Sequence, residues 1–256
     1  MSLKKRVIKI FATKHFQPFY KALHYIALKG MNYGSANSPL DSGELSILKM
    51  LQKELPKNPV IFDVGANNGQ YLELIETYFK EFQPMVHVFE PDEVAFSKLE
   101  KRFANKPNII LNNVALGHVN QTTTLYSTAS GGVDASLVNT QNENLKQTSI
   151  SMVTLDDYCL KNEVETIHFM KIDVEGFEMN VLKGAKTNIE KQNIKRIQVE
   201  HGSLQSIIAG TTLYGFTTLL HNYQCYHIKQ NGIYKIDYAP INEIFYNSNY
   251  YFKINE

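Results

Sequence analysis

At 256 residues, 43% hydrophobic and 20% charged, the chain fits one large α/β domain with an appendage and requires no second full domain. The formal net charge of +1 hides an asymmetry: residues 1 to 40 hold seven Lys or Arg and no acid, which leaves the rest net acidic and argues against a broad nucleic-acid-binding surface. Cys159 and Cys225 lie far apart, in neither metal-binding nor redox spacing, and no run approaches the ~20 apolar residues of a membrane span.

Residues 4 to 30 read as a helix with Phe16, Phe19, Leu23 and Ile26 on one face. Lys9 interrupts an apolar stretch already too short for a signal peptide, so a cytoplasmic protein is expected. A second amphipathic helix runs from Glu44 to Leu55 and is closed by Pro56 and Pro59. Residues 1–57 are thus expected to form a helical cap on a main domain spanning 58–256. The cap's apolar face would cover that domain, but its Lys, Phe and Tyr content also suits peripheral contact with an anionic membrane.

From Val60 onward, short apolar strands alternate with turns and helices, which predicts a parallel sheet with helices packed on it. Strands are expected at 60–64, 86–89 and 109–111, the last buried on both faces if its apolar run is taken literally. The β-rich segments 122–126 and 149–153 predict an inserted hairpin or edge strands, separated by a polar loop containing Ser130, Gly131 and Gly132. Further strands are expected at 167–172 and 194–199, with Phe177, Val181, Leu182, Ala185 and Ile189 striping a helix between them. Tyr223 to Ile228, an Asn231-Gly232 hairpin signal and Tyr250 to Ile254 would finish the sheet, one strand running antiparallel.

Chemistry concentrates where strands give way to helices, the edge at which open α/β sheets bind ligands. Asp63-Val64-Gly65-Ala66-Asn67-Asn68-Gly69 lacks the G-x-G-x-x-G spacing of a dinucleotide fingerprint. Gly65 and Gly69 let the backbone approach a ligand and turn into a helix. An acid ahead of the first glycine repels pyrophosphate and suits an ammonium group, such as the methionyl end of S-adenosylmethionine (SAM). Glu90, ending the second strand, can accept both ribose hydroxyls, although Asp92 after Pro91 offers itself as the helix cap. Asn113, Val114 and Ala115 follow the third strand, where an adenine would lie.

Five stretches then carry a family resemblance: residues 60–71 around Asp63 and Gly65, His87-Val88-Phe89-Glu90-Pro91, Asn113-Val114-Ala115-Leu116-Gly117, Thr154-Leu155-Asp156-Asp157-Tyr158 and Lys171-Ile172-Asp173-Val174-Glu175-Gly176. In order and content they resemble the FkbM-type methyltransferases over about residues 40 to 255. That resemblance implies a Rossmann-like class I fold with a mostly parallel seven-stranded sheet, helices on both faces and an inserted hairpin. It also implies SAM as cofactor, held by Asp63, Gly65, Asn67, Gly69, Glu90, Pro91, Asn113, Val114 and Ala115, and a hydroxyl on a sugar, glycolipid or related acceptor as the methylated group.

Such a hydroxyl needs a positioned base. Asp173 is the first candidate, His201 the second, and Glu175 a supporting acid, because the fourth and fifth strands end at the same edge as Asp63. Asp173, Glu200 and His201 are also suitable ligand types for a divalent metal, but a metal-free site is the preferred expectation. A nicotinamide-dependent oxidoreductase and a non-catalytic SAM-binding protein are the alternatives. The missing phosphate-binding spacing disfavours the first, and the intact motifs disfavour the second.

Overall fold

The computed structural model describes residues 3–35, 38–128, 135–142 and 144–255; the glycine-containing loop expected at 130–132 lies outside them. The single helix expected over 4 to 30 is two, α1 (Leu3–Phe11) and α2 (Gln17–Gly30), with a 3-10 turn between them. Pro18 accounts for the break, since a residue without an N–H is tolerated in a helix's first turn but not in its interior.

After α3 (Glu44–Glu54), the alternation appears as expected in β1 (Val60–Val64), α4 (Gln70–Phe79), β2 (Met85–Phe89), α5 (Glu93–Phe103) and β3 (Ile109–Asn112). Next come β4 (Ala115–Leu116), β5 (Gln121–Ser127) and β6 (Lys146–Val153), which pair into a separate three-stranded sheet, the expected insertion. The chain continues through α6 (Leu155–Lys161), β7 (Phe169–Ile172), α7 (Glu178–Lys183), α8 (Lys186–Glu190), β8 (Arg196–His201), α9 (Leu204–Ile208) and α10 (Leu213–Leu219). It ends in β9 (Tyr223–Lys229), β10 (Gly232–Lys235) and β11 (Ser248–Ile254).

Among the described residues the main sheet has eight strands, in the order β10-β9-β11-β8-β7-β1-β2-β3, not the seven expected. The second arm of the Asn231-Gly232 hairpin, β10, joins the edge antiparallel to β9, and β11 slots antiparallel between β8 and β9. At the opposite edge β3 pairs with β2 alone, so Ile110 is exposed rather than buried as its apolar run suggested.

Side chains alternate across the sheet, and the core divides with them. Ile61 joins Val86, Val88 and Phe169 under α3, α4 and α5, while its neighbour Phe62 joins Met170, Ile172 and Val199 under α6, α7 and α10. Ile47, Leu48 and Leu51 of α3 are fully buried in the first of these layers. Each contributes roughly 1.5–3 kcal/mol by leaving water, so α3 is a core element. By contrast α2 buries only Leu28.

Candidate functional site

The strand order reverses between β1 and β7, and a cavity of about 480 Å³ opens at the carboxyl ends of the strands around that point. Its floor is the turn after β1. Gly65 adopts φ +83°, and a Cβ there would lie 1.9 Å from the carbonyl oxygen of Asp173, so the β1 and β7 turns can meet only at a glycine. Gly69, at φ +82°, lies outside the lining; it lets α4 start against Leu99 and Phe103 of α5.

Glu90 lines the cavity from the end of β2. Its two carboxylate oxygens accept from the backbone N–H groups of Asn67 (2.7 Å) and Asp92 (2.8 Å), leaving further lone pairs for a ligand. Asp92 caps α5, accepting from the Ala95 N–H at 2.9 Å. The Asn113 amide donates to the carbonyls of Glu90 and Pro91, at 2.9 and 3.3 Å, and so sets the β2–α5 turn rather than lining the cavity. Pro91, Val114 and Ala115 do line it.

Asp63 is fully buried just beneath the glycine turn, and neither of its carboxylate oxygens has a hydrogen-bond partner among the described residues. Burial pushes its pKa up to about 6, Lys171 opposing and Asp173 and Glu44 adding to the rise. Burial likewise pushes Glu90 up to about 7 against the pull of its two N–H donors. Both carboxyls hold a proton more readily than in the unfolded chain, where reference values are 3.8 and 4.5. Their contribution to stability is therefore complete below those reference values and is lost as pH climbs through 6 to 7. Thermal melts of the unliganded protein from about pH 5 to 8 should show this decline, and Glu90→Gln should flatten it. An identical slope in both proteins would remove Glu90 as its source.

In register across β1, β7 and β8 lie Asp63, Lys171 and Gln198, a buried polar row at the centre of the sheet. Buried cations require partners, and Lys171 finds Asp173 at 2.7 Å and Glu44 of α3 at 3.9 Å. Glu44 is itself held by Gln198 (2.7 Å) and Ser42 (2.8 Å). Burial disfavours the Lys171 ammonium, but the carboxylates outweigh it and hold its pKa above the usual lysine value. For Asp173, burial pushes upward, yet Lys171 and a hydrogen bond from Glu200 bring the pKa below the ordinary aspartate value. Glu200 is driven well upward by burial and then by the charge of Asp173. The surroundings thus favour the ionised form at Asp173 and the protonated form at Glu200.

The turn bearing Asp173 is braced from within. Glu178 accepts from the Val174 and Gly176 N–H groups at 3.1 and 3.0 Å, and Ser136, in the connection between β5 and β6, donates to the Glu175 carbonyl at 2.6 Å. Asp173, Glu175 and Glu200 each offer a ligand oxygen within 4.8 Å of the others, a grouping that includes Glu175 in place of the His201 considered from sequence. His201 falls outside the cavity lining. Neighbouring strand residues point to opposite faces; Glu200 meets the cavity, so His201 turns into a pocket of Phe216, Phe245 and Tyr250, with Glu243 at 3.5 Å.

Sequence reasoning passed over Lys171 and Glu44 as site residues and considered Glu200 only as a metal ligand. A charge inside the strand Phe-Met-Lys-Ile was the available signal for Lys171. Glu44 carried none, because its role depends on where α3 docks.

A cavity at the switch point of an open sheet, floored by a glycine turn and walled by carboxylates, defines an α/β protein that takes a small ligand at its strand ends. The chain belongs to the methyltransferase FkbM domain family, which residues 63–224 match. It is 24% identical over 168 residues to the hexuronic acid methyltransferase AglP of Haloferax volcanii, an alignment covering 62% of this chain and 64% of that protein. The chain thus spans just under two thirds of the curated relative's length. Among solved structures it is similar to methyltransferase FkbM of Methylobacillus flagellatus KT (18% identity, TM-score 0.48, covering 77% of this chain and 43% of that one). It is also similar to a precorrin-6y C5,15-methyltransferase of Geobacter metallireducens GS-15 (9% identity, TM-score 0.44, covering 87% and 93%). Membership of this family sets aside the nicotinamide-dependent alternative.

Proposed function

We propose that the protein transfers a methyl group from SAM to a hydroxyl of a sugar or sugar-acid acceptor. The observation that carries this reading is the single cavity at the strand ends, which brings Asp173, its 2.7 Å partner Lys171, and Glu200 together with the Gly65 turn and Glu90. Its acceptor class draws on the relative named for acting on hexuronic acid.

The residues fit SAM. Asn67 and Asn68, both lining the cavity, have side-chain oxygens buried without a donor, positions an ammonium group would satisfy. Glu90 would accept the ribose hydroxyls, with Val114 and Ala115 against the base. Among the described residues lining the cavity, acids outnumber the cation Lys171, so a cationic ligand is favoured over an anionic one. When bound, SAM supplies an electrophilic methyl carbon on a positively charged sulfur.

The protein's own part is positioning and proton removal. Holding the acceptor oxygen about 3–3.5 Å from the methyl carbon removes most of the entropy of a bimolecular encounter. Asp173, held in its ionised form by Lys171 at 2.7 Å, would take the proton of an acceptor hydroxyl on that wall. Glu175 adds negative charge to the same wall. His201, turned into its aromatic pocket, is given no proton-transfer role.

Methyl-labelled SAM incubated with neutral sugars, hexuronic acids and lipid-linked glycans tests the reading; label in none of them, with SAM bound, would sink it. Glu90→Gln should weaken SAM binding in calorimetry by roughly tenfold or more, the cost of charge-assisted hydrogen bonds. Unchanged affinity would take Glu90 out of the cofactor site.

A further inference from the structure

We propose that α1, the 3-10 turn and α2 form a docking surface for anionic lipid headgroups, setting the cavity rim against a membrane. Every residue from Val7 to Ala27 is exposed except Thr13, which is half-buried. The face formed by Phe19, Leu23 and Ile26, expected to cover the main domain, is instead 61, 52 and 66% exposed. Val7, Ile10 and Phe11 of α1 are exposed as well, and the Phe11, Phe16, Phe19 and Tyr20 rings form a chain of contacts with one another. A contiguous exposed apolar patch rimmed by charge marks an interaction site.

Charge selects the occupant. Residues 1 to 40 contain seven cations and no acid. None of the ion pairs among the described residues uses Lys9, Lys14 or Lys21. A second copy of the chain would set basic helix against basic helix, whereas anionic headgroups supply the opposite sign while the acyl region accepts Phe, Leu and Ile. At 14 residues α2 is roughly 21 Å long, short of a ~30 Å hydrocarbon core, so it lies in the interface plane. No described helix is long and apolar enough to cross a membrane.

The surface is firmly tied to the site. Leu28 is buried, Asn32 donates to the carbonyls of Ser42 (2.8 Å) and Ile228 (3.0 Å), and the Gly34 N–H donates to the carbonyl of Asn247 at 2.6 Å. Asn247 lines the cavity together with Ser38 and Pro39 just beyond α2. A lipid-linked acceptor would reach the cavity from the membrane on which these helices rest.

Sedimentation of the full chain with phosphatidylcholine vesicles, with and without roughly a third phosphatidylglycerol, tests the proposal. Binding should be at least about tenfold stronger on anionic vesicles and fall as salt rises. The triple variant Phe19→Ser/Leu23→Ser/Ile26→Ser should lose it by about tenfold or more with little change in melting temperature, since those side chains are more than half exposed and belong to neither layer of the core. Lys9→Gln/Lys14→Gln/Lys21→Gln should weaken the preference for anionic lipid several-fold, since Lys4, Lys5, Arg6 and Lys29 remain. Negligible pelleting, equal pelleting on both vesicles, or a soluble dimer disrupted by the triple variant would each overturn the proposal. Methyl transfer does not enter the readout, so failure here leaves the proposed reaction untouched.

Discussion

Replacing Asp173 by asparagine is expected to cut turnover by about two to four orders of magnitude while SAM affinity stays within about twofold. The substitution keeps an oxygen that can accept from Lys171 and removes the negative charge, and with it the capacity to take a proton. Glu44 remains to balance Lys171, so the fold should survive. One side effect is specific to this geometry: the charge of Asp173 helps keep Glu200 protonated, so in the variant Glu200 ionises more readily. Residual turnover should therefore rise with pH and disappear on adding Glu200→Gln. Kinetics and calorimetry on the same preparations separate the outcomes. A parallel fall in affinity would make Asp173 a cofactor ligand, and near-normal turnover would leave a mechanism of positioning alone.

Gly65→Ala should be strongly damaging for a change of a single methyl group. Left-handed backbone alone costs an alanine about 1–2 kcal/mol, and here the new Cβ meets the Asp173 carbonyl oxygen at 1.9 Å. Neither side can yield easily. The Gly65 N–H donates to the Phe89 carbonyl and the Asp173 N–H to that of Val64, both at 2.9 Å, so the two turns are held by the sheet ladder itself. We expect about 3 kcal/mol or more of destabilisation, the range for strain at a special backbone position, and at least a tenfold loss of SAM affinity. A melting temperature within about a degree of the parent would show that the turns move apart freely.

Much of this site could be read from the chain because its signals are local. Gly65 and Glu90 each sit at a strand end, and strand ends in an alternating pattern share one edge of a parallel sheet. The resemblance carried by Lys171 to Gly176 led to Asp173 by the same route. What was illegible depends on contacts between distant segments. The insertion of β11 between β8 and β9 leaves no periodicity of its own, and the exposure of Ile110 follows only from β3 being an edge. Glu44 reads as an ordinary first-turn acid until α3 is seen above Lys171. His201 shows the opposite failure: the right strand end, but the wrong side of it.

The position of α3 bears on modularity. The stretch matching the family begins at residue 63, and the proline-marked boundary near 58 invites a cut there. A fragment starting at that boundary would strip Ile47, Leu48 and Leu51 from the core and take from Lys171 one of its two close carboxylates. The catalytic half is therefore not a transplantable cassette: a chimera that exchanges acceptor preferences between relatives should join upstream of Ser42, carrying α3 along with the sheet it covers.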